Sequence, residues 1–293
     1  MGRSGEGLET VMNSGASWLW EVLGERDQGG EPYPLPGRFW PLGEKLPVLH
    51  RDDAAPAYLW RKRAICRSTP GRCDLRWPQA PPEVLTSAHA RLLGLQGGSM
   101  PGGTTPGALG EFMTEQQEDL VVMVKGEGES AAQARIGYVH VAFPSGWRPE
   151  RSLGLDFAAI HHAVPGHDRF PADQQLRLRL AASMFGGRIR VRYVWTVSGD
   201  PGLDRHPDYG ERATPWALAP TVYLRVERQI VVPVDATHSL FVIRLYVFPL
   251  QALPQSIRKR VFHLVGAMPA TIAEYKGLAS DRVLILEKLK RLL

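Results

Sequence analysis

Cysteine is scarce in this chain of 293 residues. The two that occur, Cys66 and Cys73, cannot build a disulfide scaffold, and the six residues between them fit none of the usual zinc or iron–sulfur ligand spacings. No iron–sulfur cluster is therefore expected on the chain itself. Also missing is any apolar run approaching the roughly 20 residues that a membrane-spanning helix requires. The polar, glycine-rich start before Ala16-Ser17-Trp18-Leu19-Trp20 lacks the basic and then apolar order of a secretory signal. These absences predict a cytoplasmic protein with no membrane partner. Charge of one sign is not concentrated either: 35 Lys and Arg stand against 30 Asp and Glu, spread over the chain, without the basic face that a nucleic acid selects. No glycine loop stands between a strand and a helix to cradle phosphate, and there is neither a His-Glu-x-x-His zinc motif nor a Ser–His–Asp arrangement. Nucleotide-dependent and hydrolytic chemistry are disfavoured accordingly.

What is present is an ordinary globular composition, 44% hydrophobic, enough to build a core. Residues 1–80 are rich in Pro and Gly, as in Glu31-Pro32-Tyr33-Pro34-Leu35-Pro36-Gly37, and predict an irregular N-terminal wrap with one short helix near 17–25. Residues 81–293 form the second part, the two together one structural unit. Val84, Leu85, Ala88, Leu92 and Leu93 are spaced as a helix from Pro82 to Leu95. Thr105-Pro106 predicts a cap and first-turn proline for a helix through about Gln117. Strands follow at 135–143, 188–197, 221–232 and 239–248, where β-branched and aromatic residues alternate, with a hairpin over Pro233–His238. Between them 173–185 has helical spacing with Gly186 to end it. Pro254 opens a helix with Ile257, Val261, Leu264 and Val265 in one stripe, and Ser280-Asp281 caps a last one. The pattern is α+β, an antiparallel sheet with helices at both ends.

Two strands carry unusual polar faces. Arg188, Arg190 and Arg192 share one face at intervals of about 6–7 Å, so anions should lie opposite them unless the face is solvated. On 221–230, Tyr223, Arg225, Glu227 and Gln229 share one face while Val222, Leu224, Val226 and Arg228 share the other. A polar face in a β-rich core is costly unless it lines a cavity or pairs across the sheet, here Glu227 with Arg190, Arg192 or Arg244.

Five segments occur in a telling order: Glu118-Asp119-Leu120-Val121-Val122-Met123, Phe143-Pro144-Ser145-Gly146-Trp147, Ile160-His161-His162-Ala163-Val164-Pro165, Leu224-Arg225-Val226-Glu227-Arg228-Gln229 and Tyr275-Lys276-Gly277. Over roughly residues 115–280 the chain resembles the heme-binding subunit of heme-dependent oxidative N-demethylases. The resemblance implies a PAS-like sheet enclosing heme b, with His161 as the axial ligand to iron and Arg190, Arg192, Arg225 and Arg228 as candidates to neutralise the propionates. It further implies an oxygenase that uses dioxygen and electrons from a separate flavin and iron–sulfur reductase to oxidise a small molecule of the amine type. Glu227 would orient the amine, and the oxidised product would collapse to amine and aldehyde. His162-Ala163 departs from the small residue and proline of the family pattern, which leaves open a relative that oxidises a different, biosynthetic substrate. A heme or small-ligand sensor module is the alternative of another class.

Overall fold

The computed structural model describes residues 19, 22–23, 39–43, 47–69, 71–98, 107–156, 159–160 and 181–293. Its centre is one antiparallel sheet of β1 (Trp40–Pro41), β2 (Leu75–Arg76), β3 (Asp119–Val124), β4 (Arg135–His140), β5 (Arg190–Ser198), β6 (Tyr223–Pro233) and β7 (His238–Pro249), in the order β1-β5-β6-β7-β3-β4-β2. β6 and β7 form the longest pairing, from Tyr223 opposite Pro249 to Pro233 opposite Ser239. The Asp235 carboxylate closes their turn by accepting the N–H groups of Thr237 and His238 at 2.7 and 2.8 Å, the usual service of an Asp in a tight turn. β1 pairs with β5 only at Arg190 and Val191, so the outer edge from Arg192 onward has no strand beside it among the described residues.

Because side chains alternate across a strand, the register divides the sheet into two faces. Leu224, Val226, Arg228, Ile230 and Val232 of β6 lie on a helical face. There Leu224 and Val226 pack on Ile257, Val261 and Leu264 of α4 (Gln255–Ala267), Ile272 of α5 (Ala270–Tyr275) and Ile285 and Leu289 of α6 (Arg282–Lys290). Ile230 and Val232 belong to a second cluster with Val84, Ala88 and Leu92 of α2 (Glu83–Leu95) and Leu109 and Met113 of α3 (Ala108–Thr114). Truncating a fully buried leucine here, Leu92 or Leu264, is worth about 2–5 kcal/mol. The predicted stripes of α2 and α4 are thus the surfaces they bury.

The differences from expectation have local causes. Residues 55–68, inside the stretch expected to be irregular, form α1 (Ala55–Ser68), started by a proline in its first turn. The helix expected through Gln117 stops at Thr114, and Asp119 instead opens the interior strand β3, buried at all six of its positions. Lys62 of α1, fully buried, donates to the carbonyls of Met113 and Gln116 at 3.2 Å and to that of Glu118, so it collects the free carbonyls at the end of α3. The same ammonium pairs with Asp119 at 3.1 Å, and Asp119 in turn accepts the amides of Ala142 and Phe143 at 3.1 and 2.8 Å. Two of the recognised segments, at 118–123 and 143–147, therefore meet in a structural brace. Asp281 sits at the start of α6 without a side-chain cap bond, because Ser280 Oγ donates to its carboxylate instead. Leu19, Val22 and Leu23 are helical and buried against α4–α6, within the span expected for a short helix. Of the helix expected over 173–185, residues 181–184 are described as helical, and it is Gly187, not Gly186, that takes the positive φ of +74°.

Candidate functional site

The second face of the sheet carries Arg190, Arg192, Val194 and Thr196 from β5, Arg225, Glu227, Gln229 and Val231 from β6, and Phe241, Ile243, Leu245 and Val247 from β7. The register sets Arg192 against Gln229 and Ile243, and Val194 against Glu227 and Leu245. Hydrophobic residues close one end, where Ile160, Met184 and Phe185 pack with Val121, Val139, Val231 and Phe241. Leu203 and Phe143 close the other with Leu245 and Val247. Between them the polar side chains form a line. Arg192 Nε donates to Gln229 Oε1 at 2.5 Å, and Gln229 Nε2 donates to Glu227 Oε2 at 2.6 Å. The Arg192 guanidinium also lies 4.9 Å from the centre of the Phe39 ring, a distance suited to cation–π attraction.

The C-terminal part of the chain completes this line. α5 ends in a turn in which Gly277 N–H donates to the Glu274 carbonyl at 2.9 Å and Leu278 N–H to the Ala273 carbonyl at 2.8 Å, with Gly277 at φ +66°. That is the Schellman arrangement, in which glycine takes the left-handed position and the residues before it close the helix. It delivers Tyr275 and Lys276 to the open edge of β5. Lys276 Nζ donates to the Trp195 carbonyl and lies 5.2 Å from the centre of the Trp195 ring, covering part of an edge that has no strand partner among the described residues. Burial brings the Lys276 ammonium down from its usual 10.5 to about 8, although the Glu227 carboxylate favours its charge. Burial raises the Tyr275 hydroxyl, with Arg192 opposing and Glu227 adding to the shift. Burial lowers the Arg192 guanidinium, against the pull of Tyr275 and Glu227. Arg192, Glu227, Tyr275 and Lys276 are therefore one electrostatically coupled group assembled from three distant segments.

The residues singled out from sequence fall in different places. Arg190 and Arg192 are half-buried on this face, and Arg190 Nε and Thr196 Oγ1 are buried without a partner among the described residues. Arg188 lies before β5 and is exposed. Arg225 shares the face, but its guanidinium donates to the carbonyls of Gly202 and Leu203. Arg228 is on the helical face and donates to the carbonyls of Pro47 and Val48. The expected direct pairing of Glu227 across the sheet is not seen among the described residues. It reaches Arg192 through Gln229, and Arg244, opposite Arg228 in register, pairs with Asp52 at 2.8 Å on the other face. His161 lies outside the described residues. The preceding Ala159 and Ile160 are helical, with the Asp156 carboxylate accepting the Ala159 N–H at 2.9 Å. Tyr275 and Lys276 were visible as a motif, but no sequence signal linked them to Glu227.

Among the described residues no cluster of three or more His, Cys, Asp or Glu could hold a metal ion, and no helix is long and apolar enough to cross a membrane. The class of protein so far defined is α+β, an antiparallel sheet whose second face is half-buried and polar, with unpaired donors among the described residues. The family model for "Haem-dependent oxidative N-demethylase, alpha subunit-like" matches residues 97–285, well over half the chain and all of the polar face, and the chain belongs to that family.

Proposed function

We propose that the polar face between Arg190 and Glu227 is one wall of a heme b pocket, and that the protein is an oxygenase that oxidises a protonated amine at a carbon next to nitrogen. The observation that carries this reading is the line Arg192–Gln229–Glu227, joined at its end by Tyr275 and Lys276. Membership of a family named for haem-dependent oxidative N-demethylation supports it.

The residues present fit the cofactor. A flat dianionic macrocycle asks for apolar surface, cations for two propionates and a strong axial donor. Val194, Phe241, Ile243 and Leu245 supply apolar surface on the face, and Arg190, with its buried and unpartnered Nε, and Arg192 supply the cations. Arg225 and Arg228 are already committed to backbone carbonyls, so the propionates fall in this reading to Arg190 and Arg192. His161, one residue beyond Ile160, would be the donor. The sheet, in which the β3–β4 hairpin lies against β7 of the β5–β6–β7 meander, supports a PAS-like pocket.

Heme, when bound, would supply dioxygen binding and activation with electrons from a separate flavin and iron–sulfur reductase. The chain itself would position and balance charge. Gln229 fixes Glu227 Oε2, which leaves Oε1 to accept an N–H of the ammonium and so sets the angle at which its carbon is presented. Lys276 Nζ, close to its own pKa just above neutrality, holds a proton that a second cation at Glu227 would loosen. Loss of hydrogen from the carbon and gain of oxygen would give a carbinolamine that falls apart to amine and aldehyde.

The first test is the absorption spectrum of protein expressed with heme supply, before and after dithionite and carbon monoxide, beside His161→Ala. A stoichiometric Soret band that shifts with both reagents and is lost or altered in the variant is the expected result. Folded protein that takes up no heme would end the proposal. Turnover with a surrogate reductase and methylated amines, read as formaldehyde, then separates an enzyme from a module that only binds.

A further inference from the structure

Charge is less evenly spread than the totals suggest. Residues 1–253 carry 27 Lys and Arg against 27 Asp and Glu, and residues 254–293 carry eight against three, so the last segment holds the entire net charge of +5. That segment is the layer of α4, α5 and α6 on the helical face of the sheet. Lys276 is turned inward to the Trp195 carbonyl and takes one charge from the surface excess. α4 and α6 run antiparallel: Gln255 Nε2 donates to the Leu293 carbonyl at 2.6 Å, and Arg282 Nε to the Val265 carbonyl at 3.1 Å. The start of α4 therefore lies beside the end of α6. Lys259, Lys290 and Arg291, all exposed, stand within about one turn of the contact between Gln255 and Leu293.

Local stability does not account for these cations. Arg258 and Lys288 donate to the carbonyls of Gln251 and Ala219, and Arg282 to that of Val265, dipoles that do not cancel a charge. With Lys259, Lys290 and Arg291 they take part in no ion pair among the described residues, whereas Arg61, Arg63, Arg135 and Arg148 each meet a carboxylate. Arg258 and Lys259 also stand near the N-terminus of α4, where the helix dipole disfavours positive charge. The surface is not purely basic. Val283, Glu287 and Lys290 recur along an exposed stripe of α6, Val283 at 73%, and the bond from Lys288 to Ala219 brings the turn carrying Leu218, 75% exposed, up to the same helix. Cations interleaved with apolar side chains suit a protein partner better than the phosphate backbone of a nucleic acid. We propose that the α4–α6 layer is the docking face for an acidic electron-transfer protein, the flavin and iron–sulfur reductase that the oxygenase requires. The identity of the partner rests on the oxygenase reading; the surface rests on its own charge and apolar side chains. Opposite charge steers such partners together, raising association rates about 10- to 1,000-fold at low salt. α5, in the same layer, carries Tyr275 and Lys276 to the polar face, so the docking face is continuous with the wall of the candidate pocket.

The probe is a plant-type [2Fe–2S] ferredoxin, a small acidic electron carrier, immobilised on a biosensor. The full chain is passed over it at about 0.01 M and about 1 M salt, where charges are felt over about 30 Å and about 3 Å. Association is expected at low salt, at least about tenfold slower in the triple variant Lys259→Glu, Lys290→Glu, Arg291→Glu, with the two proteins converging at high salt. Reversing three exposed arginines elsewhere, Arg51→Glu, Arg67→Glu and Arg151→Glu, changes the net charge equally and should slow association less than about threefold. The neutral triple Lys259→Gln, Lys290→Gln, Arg291→Gln puts no acid at the end of α6 and should show an intermediate loss at an unchanged Tm. No binding at low salt, an equal loss in both reversed triples, or a loss that persists at high salt would each overturn the proposal. So would a short DNA duplex that binds more tightly than ferredoxin at about 0.15 M salt and is released by the same triple. The Soret band of the same samples reports the oxygenase reading separately. Heme-free protein that binds ferredoxin in this way would overturn that reading and support the docking face, and heme-loaded protein that does not bind would overturn the docking face alone.

Discussion

Replacing Lys276 by methionine keeps much of the side chain's length and removes an ammonium that burial holds far from its usual titration. In the folded chain that ammonium titrates at about 8, and in the unfolded chain at the usual 10.5. Between these values the unfolded state binds the extra proton, so stability must rise with pH across this window and be lower below it. The gap between the two values is worth about 3 kcal/mol, of which about 2 kcal/mol returns between pH 8 and pH 10, with a slope of up to about 1.4 kcal/mol for each step of one in pH. Cys66 and Cys73 titrate nearby with opposite shifts, and tyrosines such as Tyr138 and Tyr246 act above pH 10, but these groups remain in the variant. Their effects cancel in the difference between wild type and Lys276→Met. The measurement is urea unfolding of both proteins at pH 7, 8, 9 and 10 with reductant present. Wild type should gain about 2 kcal/mol on the variant from pH 8 to pH 10. Loss of the bond to the Trp195 carbonyl shifts the variant by an amount independent of pH, and parallel curves would refute the placement of a buried ammonium beside Glu227.

Three further outcomes follow from the same contacts. Lys62→Met leaves the buried Asp119 carboxylate without its cation and the end of α3 without its donor, and should lower the unfolding free energy by about 3–5 kcal/mol; a loss under about 1 kcal/mol would contradict the brace. Gly277→Ala forces a Cβ into the left-handed turn that closes α5 and should cost about 1 kcal/mol, read as a lowered Tm, where an unchanged Tm would argue against that turn. Glu227→Gln should lower kcat/KM for a cationic amine about 100-fold at unchanged heme content, because hydrogen bonds to charged groups are worth about 1.5–3 kcal/mol. An equal loss with a neutral analogue of the same shape would mean that Glu227 does not read the charge.

How far the sequence disclosed the molecule depended on whether each element is lit from one side. β5, β6 and β7 were legible because β-branched and aromatic residues recur along them and, on β5 and β6, polar ones return on alternate positions. β3 was not, since all six of its residues are buried and no alternation survives. α1 was hidden for the opposite reason: it buries Lys62 completely and leaves Trp60 70% exposed, which inverts the usual amphipathic sign. The polar face of β6 was read correctly from alternation alone, with Arg228 set apart from Glu227. What each guanidinium would bond to was not, because the carbonyls of Gly202 and Pro47 reach the sheet from outside its strands. The fold is a matter of local period, and the candidate site adds contacts between separate elements, from Arg192 with Gln229 across 37 residues to Lys276 with Trp195 across 81.

Arg228 and Arg244 face each other in register on the helical side, and two guanidinium groups there would repel without compensation. Arg244 is held between the rings of Tyr58 at 4.3 Å and Tyr246 at 4.9 Å and paired with Asp52, while Arg228 is absorbed by two backbone carbonyls. Glu118, whose carboxyl burial pushes up against the pull of Arg244, accepts the His50 N–H at 2.8 Å in the same group. Charged groups thus tie residues 47–52 to the back of the strand whose front carries Glu227. The segment Leu224–Gln229 therefore interleaves two sets: Leu224, Val226 and Arg228 fasten the sheet to its cover, and Glu227 and Gln229 face the candidate pocket. A slip of one residue in β6 would exchange the two sets and bury Glu227 among leucines. The buried arginines behind the sheet thereby fix which carboxylate stands in front of it, and one six-residue segment serves both the scaffold and the carboxylate of the proposed chemistry.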